Sequence, residues 1–360
     1  MSAPFTAPYA AGVIGCGRMG AFPSPSVEKY GPDAFLPCAH AAAIREAQGL
    51  DLIAFCDPDP SARSCAGEAY GVEPLFASAS AMLSARAPDL VGLATRTMGR
   101  AELILACLEA GTRALHVEKP LCNSPQELAR LEPELAREDV FVTLGAVRRH
   151  LRVYQHALGL ALSGDYGDLN AAHGEFGPRT LYWSHPHTVD LLLFAAGGAR
   201  VEAVQARLGE VERDGATIVN DPVVLDAAVW FEGGFSGHIT RLPGTDWRLA
   251  CDTAHIAVVA NGSSLWRSGR AKVELDDNPY HEPERVEAQR PDQREGALTP
   301  IRQLVACLDG DSEAIAANAR VKRDIVTGQK ILFAIVQSHL EGGRPVTLDE
   351  VDPEMVIEGR

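Results

Sequence analysis

The residues best placed to do chemistry stand where a short apolar run stops abruptly: Ala114-Leu115-His116-Val117 is followed at once by Glu118, Lys119 and Pro120. In an alternating strand and helix pattern the carboxyl end of a parallel strand faces the ligand crevice, so a lysine there meets substrate more readily than bulk solvent. Pressed against apolar walls and a bound cofactor, it sheds hydration, which favours the neutral amine and allows proton exchange near neutral pH. The other reading is an exposed strand end carrying an ordinary Glu-Lys pair. A second constellation points to a dinucleotide. Gly15-Cys16-Gly17-Arg18-Met19-Gly20 follows the apolar run Ala10 to Ile14, and GxGxxG spacing lets bare backbone approach a pyrophosphate while a helix N-terminus meets its charge. Asp57 closes the next apolar run, Leu50 to Cys56. A carboxylate there accepts hydrogen bonds from both adenosine ribose hydroxyls and repels a 2′-phosphate, which favours NAD over NADP. Arg63, one or two helical turns later, can offset a phosphate, so NADP stays open.

These groups need a common edge, and the intervening pattern provides one. Helices are read at Ala62 to Tyr70, Ser78 to Ala85, Glu102 to Ala110 and Gln126 to Ala136, alternating with strands at Leu90 to Ala94, Ala114 to Val117 and Val140 to Gly145. That rhythm implies a right-handed parallel sheet, with Lys119 emerging on the same edge as the glycine turn. Thr95-Arg96-Thr97 ends one of these strands, and Arg96 can meet a cofactor phosphate or an acidic substituent of a substrate. Asp57 lies 37 residues beyond Gly20, against roughly 20 in the usual fingerprint. The excess falls in Ala21 to Ala39, which holds Pro23, Pro25, Pro32 and Pro37 and shows no helical period. It reads as an insertion, either a surface excursion or a flap over the nicotinamide end of the cofactor.

From Ala171 onward the strands are longer and partly alternating: Ala171 to Phe176, Val201 to Glu212, Pro222 to Phe231, Gly234 to Thr240 and Ala254 to Ala260. Helices are read at Tyr154 to Ser163, His187 to Ala196, Thr299 to Leu308 and Arg320 to Leu340, and the polar run Asp276 to Gly296 as an exposed loop. The fold class is therefore α/β: a Rossmann dinucleotide-binding domain over 1–146, with the insertion 21–39, then an α+β domain over 147–360 with a large, mostly antiparallel open sheet. The open face of that sheet is expected to be apolar and to suit a homodimer or homotetramer. Two domains fit a chain of 360 residues that is 46% hydrophobic and 22% charged. The formal charge of -15 opposes nucleic acid and anionic membranes as partners. Eight cysteines without a CxxC pair indicate neither a zinc knuckle nor a disulfide framework and suit a reducing cytoplasm. No basic segment leads into a long apolar one at the N-terminus, and no apolar run reaches transmembrane length.

With these pieces in place the chain resembles, over nearly its whole length, the Gfo/Idh/MocA oxidoreductases, named for glucose-fructose oxidoreductase and inositol dehydrogenase. The resemblance is carried by Gly15 to Gly20, Asp57, Thr95 followed by Glu102, and Val117-Glu118-Lys119-Pro120. Arg149, Gly164-Asp165-Tyr166-Gly167-Asp168-Leu169, His187-Thr188-Val189-Asp190 and Gly343-Arg344-Pro345-Val346 also fit. It implies an NAD(P)-dependent dehydrogenase or reductase acting on a secondary alcohol or ketone of a sugar, sugar derivative or cyclitol. It also implies that Cys16, Arg18, Met19, Thr95, Arg96, Glu118 and Pro120 join the glycines and Asp57 around the cofactor. Lys119 would contact the reacting hydroxyl, His187 would be its acid/base partner, and a cis bond would fall between Lys119 and Pro120.

Two positions depart from the family pattern. Trp183 stands where an aspartate is usual, and Thr95-Arg96-Thr97 with Arg100 replaces a threonine-proline-asparagine pattern with a histidine. His185 and His187 are left to share the work of the missing carboxylate. Asp190, one turn after His187, either faces the same cleft or is a buried pairing residue. Arg149, Tyr182 and Trp183 are candidates for the substrate cleft, the aromatics by stacking on a sugar ring, or for ordinary packing. A metal at His185 and His187 lacks a third ligand nearby. Two further functions suit the same residues: a redox-neutral lyase or glycosidase that oxidises its substrate transiently with bound NAD, and a non-catalytic NAD-binding regulator.

Overall fold

The computed structural model describes residues 8–270, 281–286 and 294–358. They form two compact units, one from the described residues of 1–147 and 294–329, the other from those of 148–293 and 330–357. In the first, six strands make a parallel sheet: β1 (Tyr9–Ile14), β2 (Leu50–Cys56), β3 (Leu75–Phe76), β4 (Leu90–Leu93), β5 (Ala114–Val117) and β6 (Phe141–Leu144). Their order is β3-β2-β1-β4-β5-β6. Every residue of β1, β4, β5 and β6 is buried, as expected of parallel strands covered on both faces. The crossovers carry α1 (Pro25–Tyr30), α2 (His40–Glu46), α3 (Pro60–Tyr70), α4 (Ala79–Ala85), α5 (Arg100–Glu109) and α6 (Pro125–Ala136). The side chains of Asp59, Ser78 and Ser124 accept hydrogen bonds from the first turns of α3, α4 and α6, which fixes where these helices begin.

The proline-rich insertion is not devoid of helix, contrary to the sequence expectation. It contains α1 and a 3-10 turn at Asp33–Phe35, because Pro25 sits at the first position of α1, where its fixed φ suits a helix and its missing N–H is not needed. The excursion closes on itself: His40 N–H donates to Met19 O at 2.7 Å and Ala41 N–H to Gly20 O at 2.9 Å. Tyr70 Oη donates to Ala21 O at 2.7 Å, and the N–H groups of Gly296 and Ala297 donate to Ala34 O and Pro37 O at 2.7 and 2.8 Å.

The second unit is built on an eight-stranded sheet. Its elements are α7 (Arg152–Ala161), β7 (Leu169–Glu175), α8 (Leu181–Ala196), β8 (Val201–Leu208), the short pair β9 (Arg213–Asp214) and β10 (Thr217–Ile218), then β11 (Val224–Phe231) and β12 (Ser236–Ile239). β13 (Asp246–Cys251), β14 (Ala254–Val259), β15 (Ser264–Arg270) and β16 (His281–Val286) follow. The order is β16-β15-β14-β13-β7-β12-β11-β8, antiparallel except for β7 beside β12. Part of the stretch read as a polar loop, Asp276 to Gly296, is thus strand β16, and its residues 276–280 and 287–293 lie outside the described residues. α8 lies directly on β7 and β12. A Cβ at Gly174 would come within 2.0 Å of Thr188 Cγ2, and one at Gly237 within 2.9 Å of Leu192 Cδ1, so glycine in both strands sets the height of the helix.

The opposite face of the sheet is mixed rather than apolar. One lateral row carries Gln205, Ala228, His238, His173, Arg248, Ala257 and Trp266, with the His173 and His238 rings stacked at 4.8 Å. The chain closes with α9 (Leu298–Leu308), α10 (Ser312–Leu340) and β17 (Val356–Ile357). None of the described helices is long and apolar enough to cross a membrane.

α9 and the first half of α10 belong with the parallel sheet, although the sequence reading assigned all of 147–360 to the second domain. The reason is a polar stripe that serves the edge strand β6. Asn318 Nδ2 donates to Val142 O at 2.9 Å, Val142 N–H donates to Asn318 Oδ1 at 3.1 Å, and Lys322 Nζ donates to Val140 O at 2.7 Å. Replacing fully buried Asn318 by leucine strands both groups of Val142 without partners. Asn318→Leu should therefore lose about 2–4 kcal/mol of stability in a urea titration, and an unchanged midpoint would contradict this account of the edge.

Candidate functional site

The carboxyl ends of β1, β2, β4 and β5 gather the first set of predicted residues on one edge. Gly15 has φ 95°, and a Cβ on Gly20 would lie 1.8 Å from Gly15 O, so both glycines are imposed by the fold of the turn. Gly17 is different: a Cβ there meets nothing within 4 Å. The open backbone at Gly17 is what close approach of a pyrophosphate needs. Asp57 is held against the same turn, its Oδ2 accepting from Cys16 N–H at 2.7 Å and its Oδ1 from Asp59 N–H at 2.9 Å. Arg63 Nη1 donates to Asp57 O at 2.6 Å, so this guanidinium is engaged on the end of β2. The Cys16 thiol is buried and pushed up to about 12, first by burial and then by the Asp57 charge, which makes it a packing group. Arg18 and Arg96 are exposed.

At the end of β4, Thr95 Oγ1 is a buried hydroxyl with no hydrogen-bond partner among the described residues. Such an orphan donor and acceptor fits a ligand group on this edge. Beside it lies a residue whose role the sequence reading missed. Arg100 is 2% exposed, and its guanidinium donates to the carbonyls of Thr95, Glu118 (2.7 Å) and Pro120. Burial lowers its pKa to about 10, which leaves it cationic at neutral pH. One side chain thus ties the loop after β4 to the turn after β5. The only sequence signal was an arginine where the resemblance called for another residue.

That turn is the predicted catalytic one. The Lys119–Pro120 bond is cis, as the resemblance implied, and Lys119 is half-buried. Glu118 points inward, 8% exposed, with Oε1 3.3 Å from His40 Nε2. Burial pushes its pKa up, but the His40 hydrogen bond, with the His40 and Lys119 charges, outweighs burial and holds the carboxyl at about 2.

The remaining predicted residues belong to the second unit and centre on α8. The Asp221 carboxylate accepts from the N–H groups of Tyr182 (2.7 Å) and Trp183 (3.1 Å), so a carboxylate does stand at this helix start, supplied 38 residues further along the chain. Tyr182 is 2% exposed and Trp183 60%. His187 is half-buried. His185 is fully buried, its Nδ1 3.2 Å from Thr188 Oγ1 and its Nε2 3.2 Å from Arg179 O, so both ring nitrogens are used within the unit. Arg149 and Asp190 pair with each other: Arg149 Nε donates to Asp190 Oδ2 at 2.9 Å and Nη2 to Asp190 O at 2.8 Å, with the guanidinium 5.5 Å from the centre of the Phe194 ring.

Burial depresses His185 to about 4. The unfolded chain, with its imidazole near 6.5, therefore takes up a proton that the folded protein refuses as pH falls below that value. The stability this neutral histidine carries is complete above about 6.5 and is lost toward pH 4, at up to about 1.4 kcal/mol per pH unit. Denaturant titrations across this window should show His185→Gln with a shallower dependence on pH than wild type. Parallel slopes would show that His185 does not titrate as described.

Comparison with known proteins agrees with this edge. Residues 10–146 match a family described as an oxidoreductase family with an NAD-binding Rossmann fold. The chain is 37% identical over 81 residues to a D-apiose dehydrogenase from Paraburkholderia graminis, a stretch that covers 22% of this chain and only 21% of that protein. Among solved structures, a levoglucosan dehydrogenase in complex with NADH and levoglucosan superposes with a TM-score of 0.71 at 16% identity, covering 95% of this chain and 100% of that one. An oxidoreductase from Agrobacterium radiobacter in complex with NAD+, L-tartaric acid and magnesium gives 0.65 at 17% identity, covering 95% and 98%. The fold is shared with these structures along nearly the whole chain, and the NAD-binding domain at residues 10–146 is the part that matches the Gfo/Idh/MocA oxidoreductase family.

Proposed function

We propose that this protein is an NAD-dependent dehydrogenase or reductase that transfers a hydride between the nicotinamide and a secondary alcohol or ketone of a sugar, sugar derivative or cyclitol. The observation that carries the reading is the turn Glu118-Lys119-Pro120. It puts half-buried Lys119 on the edge that also holds the open backbone at Gly17, the Asp57 carboxylate and the orphan hydroxyl of Thr95. The sugar-directed part is supported by the likeness to proteins named for D-apiose and levoglucosan.

NAD, when bound, supplies the hydride acceptor or donor. The chain supplies the rest. Gly15 and Gly20 shape the turn so that the open backbone at Gly17 meets the pyrophosphate, Asp57 takes the adenosine ribose hydroxyls, and Thr95 offers its hydroxyl to the cofactor. Lys119 holds its ammonium against the oxygen of the reacting carbinol and steadies the charge that grows there as hydride leaves carbon. His187 accepts the hydroxyl proton in oxidation and returns it in reduction. Trp183, exposed at the start of α8, offers its ring face to the apolar side of a sugar.

Absorbance assays with NADH and NADPH against aldoses, sugar acids, anhydrosugars and inositols, in both directions, test the reading. Lys119→Ala should lower kcat about 100-fold or more with NADH affinity within a small factor of wild type, and near-wild-type turnover would refute its role. In Asp57→Ala, the loss of two ribose hydrogen bonds should weaken NADH binding about tenfold and NADPH binding less, as read by cofactor fluorescence. Equal losses for both cofactors would remove Asp57 from the ribose site.

A further inference from the structure

We propose that His40 is a positioning residue that aims Lys119 through the buried carboxylate of Glu118. The inference rests on the dehydrogenase reading for its kinetic consequence, but its structural basis lies wholly within the parallel-sheet unit.

His40 is the first residue of α2, directly after the insertion closes, and it is completely buried. Its backbone N–H is spent on Met19 O, so the residue is anchored to the glycine turn. Its imidazole packs on β4 at Gly92, where a Cβ would come within 3.0 Å of Nδ1. Nδ1 is buried and has no hydrogen-bond partner among the described residues, so a proton there would be stranded. The proton that the ring uses is therefore the one on Nε2, which it donates to Glu118 Oε1 at 3.3 Å.

The carboxylate has little room to move. A Cβ on Gly145 would lie 2.8 Å from each of its oxygens, so the glycine after β6 packs directly against the carboxylate. The neighbouring His116 ring, 4.5 Å from that of His40, is turned toward Thr143, its Nδ1 2.9 Å from Thr143 Oγ1. Arg100 meanwhile grips the carbonyls of Glu118 and Pro120 on either side of Lys119. The backbone of the turn is clamped by one residue and its inward side chain by another. Glu118 and Lys119 are consecutive at the bend after β5, so holding the Glu118 side chain together with the carbonyls of Glu118 and Pro120 fixes the backbone from which Lys119 departs.

Removing the imidazole leaves a buried carboxylate without its donor. Such a group takes up a proton or swings away, and either response takes an anchored anion from beside Lys119. Glutamine carries its Nε2 as many bonds from the backbone as histidine does and can replace the donor. His40→Ala should therefore lower kcat about tenfold or more, with KM and NADH affinity changed by less than about threefold, and His40→Gln should recover most of the loss. Unchanged kcat in His40→Ala, or a glutamine variant as impaired as alanine, would overturn the assignment.

A second readout does not need turnover. Competitive acetylation measured by mass spectrometry, with exposed Lys29 as internal reference, should label Lys119 about threefold faster in His40→Ala than in wild type and near the wild-type rate in His40→Gln. Equal labelling in all three proteins would overturn the proposal. If wild type reduces or oxidises none of the sugars, the proposed function fails by itself, and the labelling still decides whether His40 positions Lys119.

Discussion

Backbone carbonyls at the carboxyl ends of parallel strands run out of ladder partners just where a ligand edge must be built. In this protein one guanidinium answers for three of them. Arg100 donates to the carbonyls of Thr95, Glu118 and Pro120 at a position 2% exposed, where an unpaired carbonyl would cost about 1–3 kcal/mol. A planar fork with five donors suits this task, whereas an ammonium offers a point charge without the fixed directions. Because the three carbonyls come from the loops after β4 and β5, the relative placement of Thr95 and Lys119 follows from one side chain. The edge on which the cofactor and chemistry residues lie is in that sense held from behind.

The second unit solves its positioning problem by omission. Gly174 and Gly237 lack the Cβ atoms that would collide with Thr188 and Leu192, so α8 can settle onto the sheet. Within that helix the polar residues divide by direction: His185 turns inward to Thr188 and Arg179, Asp190 turns to Arg149, and Trp183 stands out at the start. Asp221 satisfies two of the amide groups that every helix start leaves open.

The fold was legible where local pattern dictates it. The glycine turn, the continuous apolar runs of the parallel strands and the abrupt polar stop at Glu118-Lys119 are all contained in short windows. What escaped were contacts between distant parts of the chain. Nothing near Asn318 announces that it completes the hydrogen bonding of Val142, and nothing near Arg149 distinguishes a cleft arginine from one paired with Asp190, 41 residues away. Strands β13, β15 and β16 were missed for a different reason. Each interleaves charged or polar residues with apolar ones, as in Asp246-Trp247-Arg248, and only the sheet reveals that Trp247 is buried while Arg248 lies on the open face beside Glu175. The open face itself was expected to be apolar, and its histidines, arginine and glutamine are what alternation leaves on the side away from α8.

The insertion between the glycine turn and α2 is tied off at its neck, since Met19 and Gly20 bond directly to His40 and Ala41. It behaves as a parenthesis in the chain. Whatever stands inside it, the register of β1 and the placement of His40 are settled by the two bonds that close the bracket. Inside the bracket Ala34 O and Pro37 O accept from the N–H groups of Gly296 and Ala297, so the interior answers to the start of α9 while the neck answers to the glycine turn. The same geometry makes the neck a natural splice point, where a loop from another protein with similarly spaced ends could be grafted while the edge around Lys119 keeps its arrangement.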